Sequence, residues 1–425
     1  MDYFTYQSGQ LHCEAVHLAD IAAAHATPVY VYSSATFLHH YQQLAQAFAS
    51  LEPLICYSVK TNSNIHVLRL LAQAGAGFDI VSGGELFRVL QAGGRPNKVV
   101  FAGVGKTDRE ISEAIEAGIG FFTLESAPEA ENISRLAQGL GQKVAAALRV
   151  NPDVDPKTHK YITTGKKLTK FGVDLKEAVA FFEKYSGLPG LNLVGLHMHI
   201  GSQITSIDPY VTALKKMLGL IQTLRDRGYK INWLDLGGGF GADYQSDTVP
   251  LAPDYAAALV KMLRGQDLQI AMEPGRFISG NAGVLLTRVL YVKQSGPRRF
   301  VIVDAAMNDL IRPALYDAFH FIWPVQPPKG FVPTERTSQP RMDGLVKADV
   351  VGGICESGDF LAKDRLLPPL KRGDLLAVFT AGAYSFSMAS QYNSRLRAPE
   401  VLVNGSEHKI IRRRESYSDL TALEQ

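Results

Sequence analysis

Residues 54–64 read LICYSVKTNSN: an apolar run over Leu54–Val59, a single lysine at position 60, and a polar stretch that opens the next helical pattern. The same alternation recurs outward from it, with short apolar runs at Gly77–Val81, Lys98–Ala102, Gly120–Leu124, Val144–Val150, Val194–Ile200, Ile231–Leu236 and Gln269–Met272. Each is bounded by Gly, Pro, Asn or Ser, and amphipathic helical patterns lie between them. Strand runs separated by helices are the signature of βα units around a parallel sheet. Eight of them are what a closed (β/α)8 barrel requires.

The helices carry their own start and stop signals. In TDREISEAIEAG, Thr107 and Glu110 form a capping box and Gly118 can close the far end. In SAPEAENISRLAQG, Ser126 and Glu129 repeat the box, Ile133, Leu136 and Ala137 supply an inward stripe, and Gly139 ends the helix. Beyond about residue 280 the helical period fades into β-rich runs, GVLLTRVLYV, RRFVIVD, ADVVGGI and DLLAVF, which predict a mostly antiparallel β domain. The run Pro28–Ser33, PVYVYS, precedes the first barrel helix and is placed to pair with that domain. The expected division is a barrel over 30–279 and a β domain from 1–29 with 280–425. Polar, anchor-poor Pro152–Lys170 predicts a mobile loop over the site. The proline-rich Trp323–Arg341 predicts a surface excursion.

Composition narrows the partners. A chain of 425 residues with 46% hydrophobic and 20% charged residues and a formal charge of +3 is globular, with no basic excess to attract nucleic acid. Cys13, Cys56 and Cys355 are too few and too scattered for a disulfide framework or a structural zinc site, which suits a reducing cytoplasm. No export signal or membrane span is legible, so a cytoplasmic protein acting on small molecules is expected.

Active sites of such barrels lie at the C-terminal ends of the strands. There the sequence places Lys60, His197 and His199 in GLHMHIGSQ, Gly237, Gly238 and Gly239 in DLGGGFG, and Glu273–Arg276, EPGR. The last two loops are where this architecture commonly holds phosphate, although a tight strand-to-helix turn accounts for three glycines by itself. A lysine facing into a barrel mouth is costly to desolvate without a purpose. Strand alternation puts Lys60 on one face with Ser58 and Cys56, and a lysine above a phosphate site points to an aldehyde cofactor held as a Schiff base, pyridoxal phosphate (PLP). Glu273 is placed for the pyridine nitrogen and His199 for the ring face, while His197, one layer lower, reads as a hydrogen-bonded core residue. The competing reading is a metal hydrolase built on His-x-His. The other histidines do not fall at strand ends, so no metal is expected.

At this point the sequence resembles the diaminopimelate decarboxylases of the PLP fold-type III group, through TPVYVYS, CYSVKTNSN, GFDIVSGGEL, HMHIGSQI, LDLGGGFG, EPGRFI, RPALY, CESGDFLAKDR and GAYSFSMASQYN. The resemblance covers nearly the whole chain. It implies Lys60 as the PLP lysine, Glu273 at the ring nitrogen and His199 on the ring. It also implies Ser202, Gly238, Gly239, Pro274, Gly275 and Arg276 around the phosphate, with Asp79, Arg149 and Tyr384 completing the surroundings of the cofactor. For substrate it implies Arg276, Arg312, Tyr316, Glu356 and Tyr384, with Cys355 as proton donor. It further implies a homodimer in which the Cys355–Glu356 segment reaches the partner's site. The retained end of meso-diaminopimelate carries a carboxylate and an ammonium, which suit Arg276 with Arg312 and Glu356 respectively. Decarboxylases of carboxynorspermidine, ornithine or arginine share the cofactor residues and differ at this distal clamp. A catalytically silent PLP-binding relative would not need Lys60, Cys355 and Glu356 together.

Overall fold

The computed structural model describes residues 2–155, 170–245 and 249–424. The expected loop over Pro152–Lys170 lies largely outside them. The chain divides into two compact units, one of residues 40–241 with 249–277, the other of residues 1–39, 242–248 and 278–425.

The first unit is the barrel. Its strands are β1 (Leu54–Ser58), β2 (Gly77–Ile80), β3 (Val99–Phe101), β4 (Phe121–Leu124), β5 (Val144–Asn151), β6 (Leu191–His197), β7 (Trp233–Asp235) and β8 (Gln269–Met272). All neighbours are parallel, and β8 returns to β1 through Ala271 opposite Leu54 and Met272 opposite Ile55, which closes the ring. The interior is packed, not hollow. Cys56, Val100, Phe121, Ala147 and Ala271 form one buried cluster from five strands, with Leu54, Ala145 and Trp233 against it. Small and large side chains alternate there, as a tapering interior requires. Cys56 is thus a core thiol, and burial pushes its pKa well up.

Local signals mostly hold. Thr107 and Glu110 form a reciprocal capping box, and Gly118 takes the left-handed conformation (φ 70°) that ends the helix. The second box is only half made. Ser126 Oγ accepts from the Glu129 N–H at 3.4 Å, but the Glu129 carboxylate turns to Lys106 Nζ at 2.7 Å and the Glu125 N–H at 2.5 Å. A buried lysine competes for the carboxylate more strongly than a backbone donor does. Strand β6 starts three residues earlier than Val194 and ends at His197, because it pairs with Val144 directly after the Pro189–Gly190 turn. His199 therefore sits beyond the strand.

The second unit is built on the long strand Gly283–Ser295. Its first half pairs antiparallel with Val29–Ser33 on one side and Leu375–Val378 on the other, and its second half with Arg298–Val303. Val29–Ser33 also pairs in parallel with Glu400–Asn404, and Arg298–Val303 in parallel with Val346–Val351, within an otherwise antiparallel sheet. All five residues of VYVYS are buried. Tyr30 and Tyr32 place their hydroxyls on Asp309 O at 2.5 Å and Glu400 Oε1 at 2.8 Å, satisfying the polar ends of otherwise apolar rings. A boundary at residue 30 cuts through this strand. The unit border falls at His39, since the strand's ladder partners all lie in the β unit.

The proline-rich stretch begins in the core, not on the surface. Trp323 is fully buried in strand Ile322–Pro324, and its indole N–H donates to Phe331 O at 2.8 Å. Farther along, Arg336 ties the excursion to the N-terminal hairpin through the Asp2 carboxylate and Phe4 O, with its guanidinium 4.3 Å from the Phe379 ring centre. Among the described residues no helix is long and apolar enough to cross a membrane.

Barrel closure leaves no space between β6 and β7 at Gly195, which stands opposite Trp233. A Cβ there would lie 2.4 Å from Trp233 O. Gly195→Ala is expected to destabilise the barrel by about 1–3 kcal/mol, read as a lowered thermal midpoint; an unchanged midpoint would mean the strands separate without cost.

Candidate active site

At the barrel mouth the end of β1 bends into a tight turn, Val59–Thr61, that carries Lys60 off the strand yet still inward. Its ammonium donates to Asp79 Oδ2 at 2.5 Å, and the side chain keeps 34% exposure while Asp79 has none. Ser58 Oγ lies 2.8 Å from the same Asp79 oxygen and 2.9 Å from Glu273 O, so it joins the ends of β1, β2 and β8. The alternation read from sequence is therefore right for Cys56 and Ser58. Lys60 reaches the site from the turn.

Three carboxylates are buried here: Asp79, Asp235 and Glu273. Glu273 Oε2 is 3.1 Å from His197 Nε2, and Glu273 also shares a side-chain hydrogen bond with Asp235. Burial works to raise the Glu273 pKa, but attraction to and hydrogen bonding with His197, together with Lys60 and His199, hold it down at about 2. Asp235 goes the other way. Burial, then repulsion from Glu273, pushes it well above the usual carboxylate range, against the N–H of Gly237 donated to its Oδ1 at 2.8 Å. Of the two, Glu273 is the one held toward the anion and Asp235 the one pushed toward the neutral acid.

His199 accepts from the Gly238 N–H at Nδ1, 3.1 Å away, so its own proton is on Nε2. Burial, then the positive charges of Arg149 and Lys60, drive its pKa well below the ordinary value and keep the ring neutral. His197 and His199 do not converge on one point. The group that does converge is His197, Asp235 and Glu273, whose ligand-type atoms lie within 4.8 Å of one another. Counting histidines alone could not find it, because two of its members are carboxylates.

The glycines serve packing first. A Cβ on Gly237 would meet Met198 O at 2.2 Å, one on Gly238 would meet Glu273 O at 2.2 Å, and one on Gly239 would meet Gly201 O at 2.4 Å. The N–H groups of Gly237 and Gly238 are given to Asp235 and His199. Gly239 adopts φ 99°, open only to a residue without a side chain. Beside it, Arg276 Nη2 donates to Ser202 Oγ at 3.1 Å, bringing a buried cation and a hydroxyl together where an anion can sit. Pro274 O accepts from Ser58 N at 3.2 Å, and a side chain on Gly275 would strike Thr61 Cγ2 at 2.5 Å, so this turn is packed directly on the Lys60 turn. Arg149 pairs with Glu125 at 2.9 Å and lies 4.6 Å over the Phe171 ring. Its role in the barrel unit is electrostatic pressure on His199.

These features fit PLP: a lysine amine, an ionised buried acceptor for a protonated pyridine nitrogen, a neutral ring at the mouth, and an arginine with a serine for phosphate.

The remaining sequence candidates belong to the β unit. Arg312 and Tyr316 begin and end the short helix Arg312–Tyr316, with the Arg312 side chain buried. Cys355 and Glu356 are exposed on a turn after strand Val346–Val351. Asp359 holds that turn by accepting the N–H groups of Met307 and Ile354 at 2.8 and 2.7 Å, and Asn393 Oδ1 accepts the Cys355 N–H at 2.8 Å. Tyr384 is half-buried at φ 55°. Ser58 was placed on the inward face from sequence but given no role, and Asp235, Asp359 and Asn393 were not singled out. Asp235 stands at a strand end beside chosen residues, a signal that was available; Asn393 lies far along the chain from Cys355, and only the fold brings them together.

Comparison with known proteins agrees with this geometry. The model of the pyridoxal-dependent decarboxylase family, pyridoxal binding domain, matches residues 34–280. The chain is 50% identical over 424 residues, all of it and 99% of the relative, to diaminopimelate decarboxylase of Pseudomonas aeruginosa. Among solved structures it is similar to diaminopimelate decarboxylase from Helicobacter pylori complexed with L-lysine (TM-score 0.90, 40% identity, 96% of this chain and 99% of that one). It is also similar to the M. jannaschii diaminopimelate decarboxylase in co-complex with L-lysine (TM-score 0.92, 35% identity, 100% and 98%).

The electrostatics of His199 have a direct readout. In the protein stripped of cofactor, the His199 ring resonances should stay those of a neutral imidazole through the pH range around 6.5 in which an ordinary histidine titrates. A normal titration curve assigned to His199 would show that the positive neighbours do not reach it.

Proposed function

The chain belongs to the diaminopimelate decarboxylase family of pyridoxal-dependent enzymes, and from that membership we propose that it converts meso-2,6-diaminopimelate to L-lysine and CO2 in the cytoplasm. The observation that carries the reading is the opposition, in one barrel mouth, of the Lys60 amine and an ionised, buried Glu273 carboxylate.

Bound PLP supplies an electron sink for the charge left when the carboxylate departs. Lys60 would hold it through the amine, with Asp79 fixing the direction of that side chain. Glu273 would keep a proton on the ring nitrogen, because an ionised carboxylate stabilises a pyridinium beside it. His199, held neutral, would lie against the ring without adding a competing positive charge. Ser202, Gly238, Gly239, Pro274, Gly275 and Arg276 would form the phosphate end, and the family resemblance adds Arg149 and Tyr384 to the cofactor's surroundings. At the other end of the substrate, Arg276, Arg312 and Tyr316 bind the retained carboxylate and Glu356 the retained ammonium. Cys355 Sγ is placed on an exposed turn from which it would deliver the proton that replaces the lost carboxylate.

The test is a comparison of substrates. The loaded protein should release CO2 from meso-diaminopimelate and far less from ornithine, arginine or carboxynorspermidine, since only the first presents an amino-acid group to the clamp. Lys60→Ala should abolish both the release and the visible absorbance of the bound cofactor. Preference for ornithine, or a Lys60→Ala protein that keeps its colour and turnover, would refute the reading.

We further propose a homodimer whose sites are shared, each using the Cys355–Glu356 turn of the other chain. Support comes from the turn's exposure and from its place in a unit separate from Lys60. Two-fold symmetry repeats any such contact in both directions. Lys60→Ala and Cys355→Ala proteins should each be nearly inactive. After mixing and subunit exchange, half of the sites in each heterodimer regain both residues, and activity should return. Exchange without recovery would place the donor in its own chain, or remove Cys355 from the role.

A further inference from the structure

The β unit contains a buried histidine that no step above uses. His320 has no exposed surface, yet both of its ring nitrogens are engaged. Nδ1 stands 2.8 Å from the carbonyl oxygen of Phe379, and Nε2 stands 2.8 Å from Arg312 Nη1. The chemistry of the two partners fixes the proton. A carbonyl oxygen can only accept, so Nδ1 must donate; a guanidinium can only donate, so Nε2 must offer its lone pair. His320 is therefore a neutral imidazole with its proton on Nδ1. An imidazolium would set N–H against N–H in a site closed to water.

The local chain builds this contact deliberately. The helix Arg312–Tyr316 is ended by Asp317 in the left-handed conformation (φ 50°), and the Ala318 N–H returns to Arg312 O at 3.3 Å. This reversal brings His320 back beside the residue eight positions before it. From there strand Ile322–Pro324 pairs with Leu375–Val378, and the Phe379 N–H donates to Phe321 O at 2.8 Å, which holds the Phe379 carbonyl under the ring. Tyr244 completes the frame: its ring centre is 4.9 Å from Arg312 Cζ and meets His320 edge to face at 5.5 Å. Arg312 thus lies against one aromatic face while a rigid acceptor grips one nitrogen of its fork.

We propose that His320 is the positioning residue for Arg312, a backbone-anchored, neutral acceptor that fixes the guanidinium so that the rest of its fork faces the retained carboxylate of the substrate. This rests on the reading of Arg312 as a substrate-carboxylate residue. A neutral acceptor sets the direction of the fork without itself bringing a negative charge to the guanidinium. His320 itself touches neither substrate nor cofactor.

The test separates positioning from folding and from the reading beneath it. L-lysine keeps the carboxylate in question, and cadaverine is the same skeleton without it. In the PLP-loaded enzyme, His320→Phe retains an aromatic ring without the acceptor. It should weaken L-lysine binding and raise the KM for meso-diaminopimelate by about tenfold or more, about 1.4 kcal/mol, with cadaverine binding, cofactor content and kcat nearly unchanged. His320→Gln, which can still present an oxygen to Arg312, should recover much of the loss. Arg312→Met should reproduce the lysine-selective loss. If Arg312→Met costs lysine binding and a folded His320→Phe does not, the positioning role is overturned and the reading of Arg312 stands. If Arg312→Met spares lysine binding, that reading fails and the proposal with it. Should His320→Phe not fold, the parent enzyme still decides. Nitrogen NMR of His320 at neutral pH must show Nδ1 protonated and Nε2 bare, and the opposite tautomer or an imidazolium would rule the proposal out.

Discussion

A carboxylate that is buried and still ionised is the constraint around which the barrel mouth is arranged. Taking Glu273 out of water favours its neutral form, and a neutral acid could not keep a proton on a pyridine nitrogen. The barrel resolves this with neighbours from other strand ends: His197 from β6 at 3.1 Å, and the positive end of Lys60 beyond it. The second cost falls on Asp235, which burial and repulsion from Glu273 push well above the usual carboxylate range. Burial and repulsion raise one acid, while His197 and Lys60 keep the other low.

The glycine loop obeys the same economy of space. Each of Gly237, Gly238 and Gly239 is excluded from having a side chain by a carbonyl oxygen of another turn or strand, between 2.2 and 2.4 Å from where a Cβ would be. Two of the three N–H groups serve Asp235 and His199: the first works against the rise in the Asp235 pKa, and the second sets the tautomer of His199. The loop's contribution to an anion site then depends chiefly on Gly239 and on the Arg276–Ser202 contact. A glycine run after a barrel strand is a packing solution that becomes a binding feature where its spare donors face the opening.

Much of this was legible in the sequence, for identifiable reasons. Strand runs bounded by turn residues announce themselves by periodicity, so all eight barrel strands were found, and Thr107 with Glu110 shows that a local capping signal survives folding when nothing stronger competes for the carboxylate. Where competition exists the signal fails, as when Lys106 takes Glu129 from its box. The strand at Val29–Ser33 was recognisable as β, but its ladder partners lie some 250 and 370 residues away, and a boundary drawn by composition could not respect them. Lys60, Glu273 and His199 were accessible because strand ends are numbered positions in a known architecture. Ser58, though placed on the inward face with Lys60, was given no role, and Asp235 was passed over, because short polar residues at a strand end resemble ordinary turn chemistry. His320 was the least visible. A single histidine after an apolar run has no pattern, and its meaning comes only from a chain reversal that returns it to Arg312.

The two units divide the physical labour in a way that bears on specificity. Most of what fits the cofactor is fixed in the barrel by buried carboxylates, a cation and closely packed turns. Apart from Arg276, the residues proposed to recognise the far end of the substrate stand on the β unit, among them Arg312, framed by His320 and Tyr244, and the Cys355–Glu356 turn, held by Asp359 and Asn393. The consequence for an arginine that must bind a carboxylate is specific. Its holder should define its direction without supplying an anion of its own, and a histidine locked as an acceptor by a backbone carbonyl is one of the few side chains able to do that in a dry interior, because its tautomer is set by the bond on its far side.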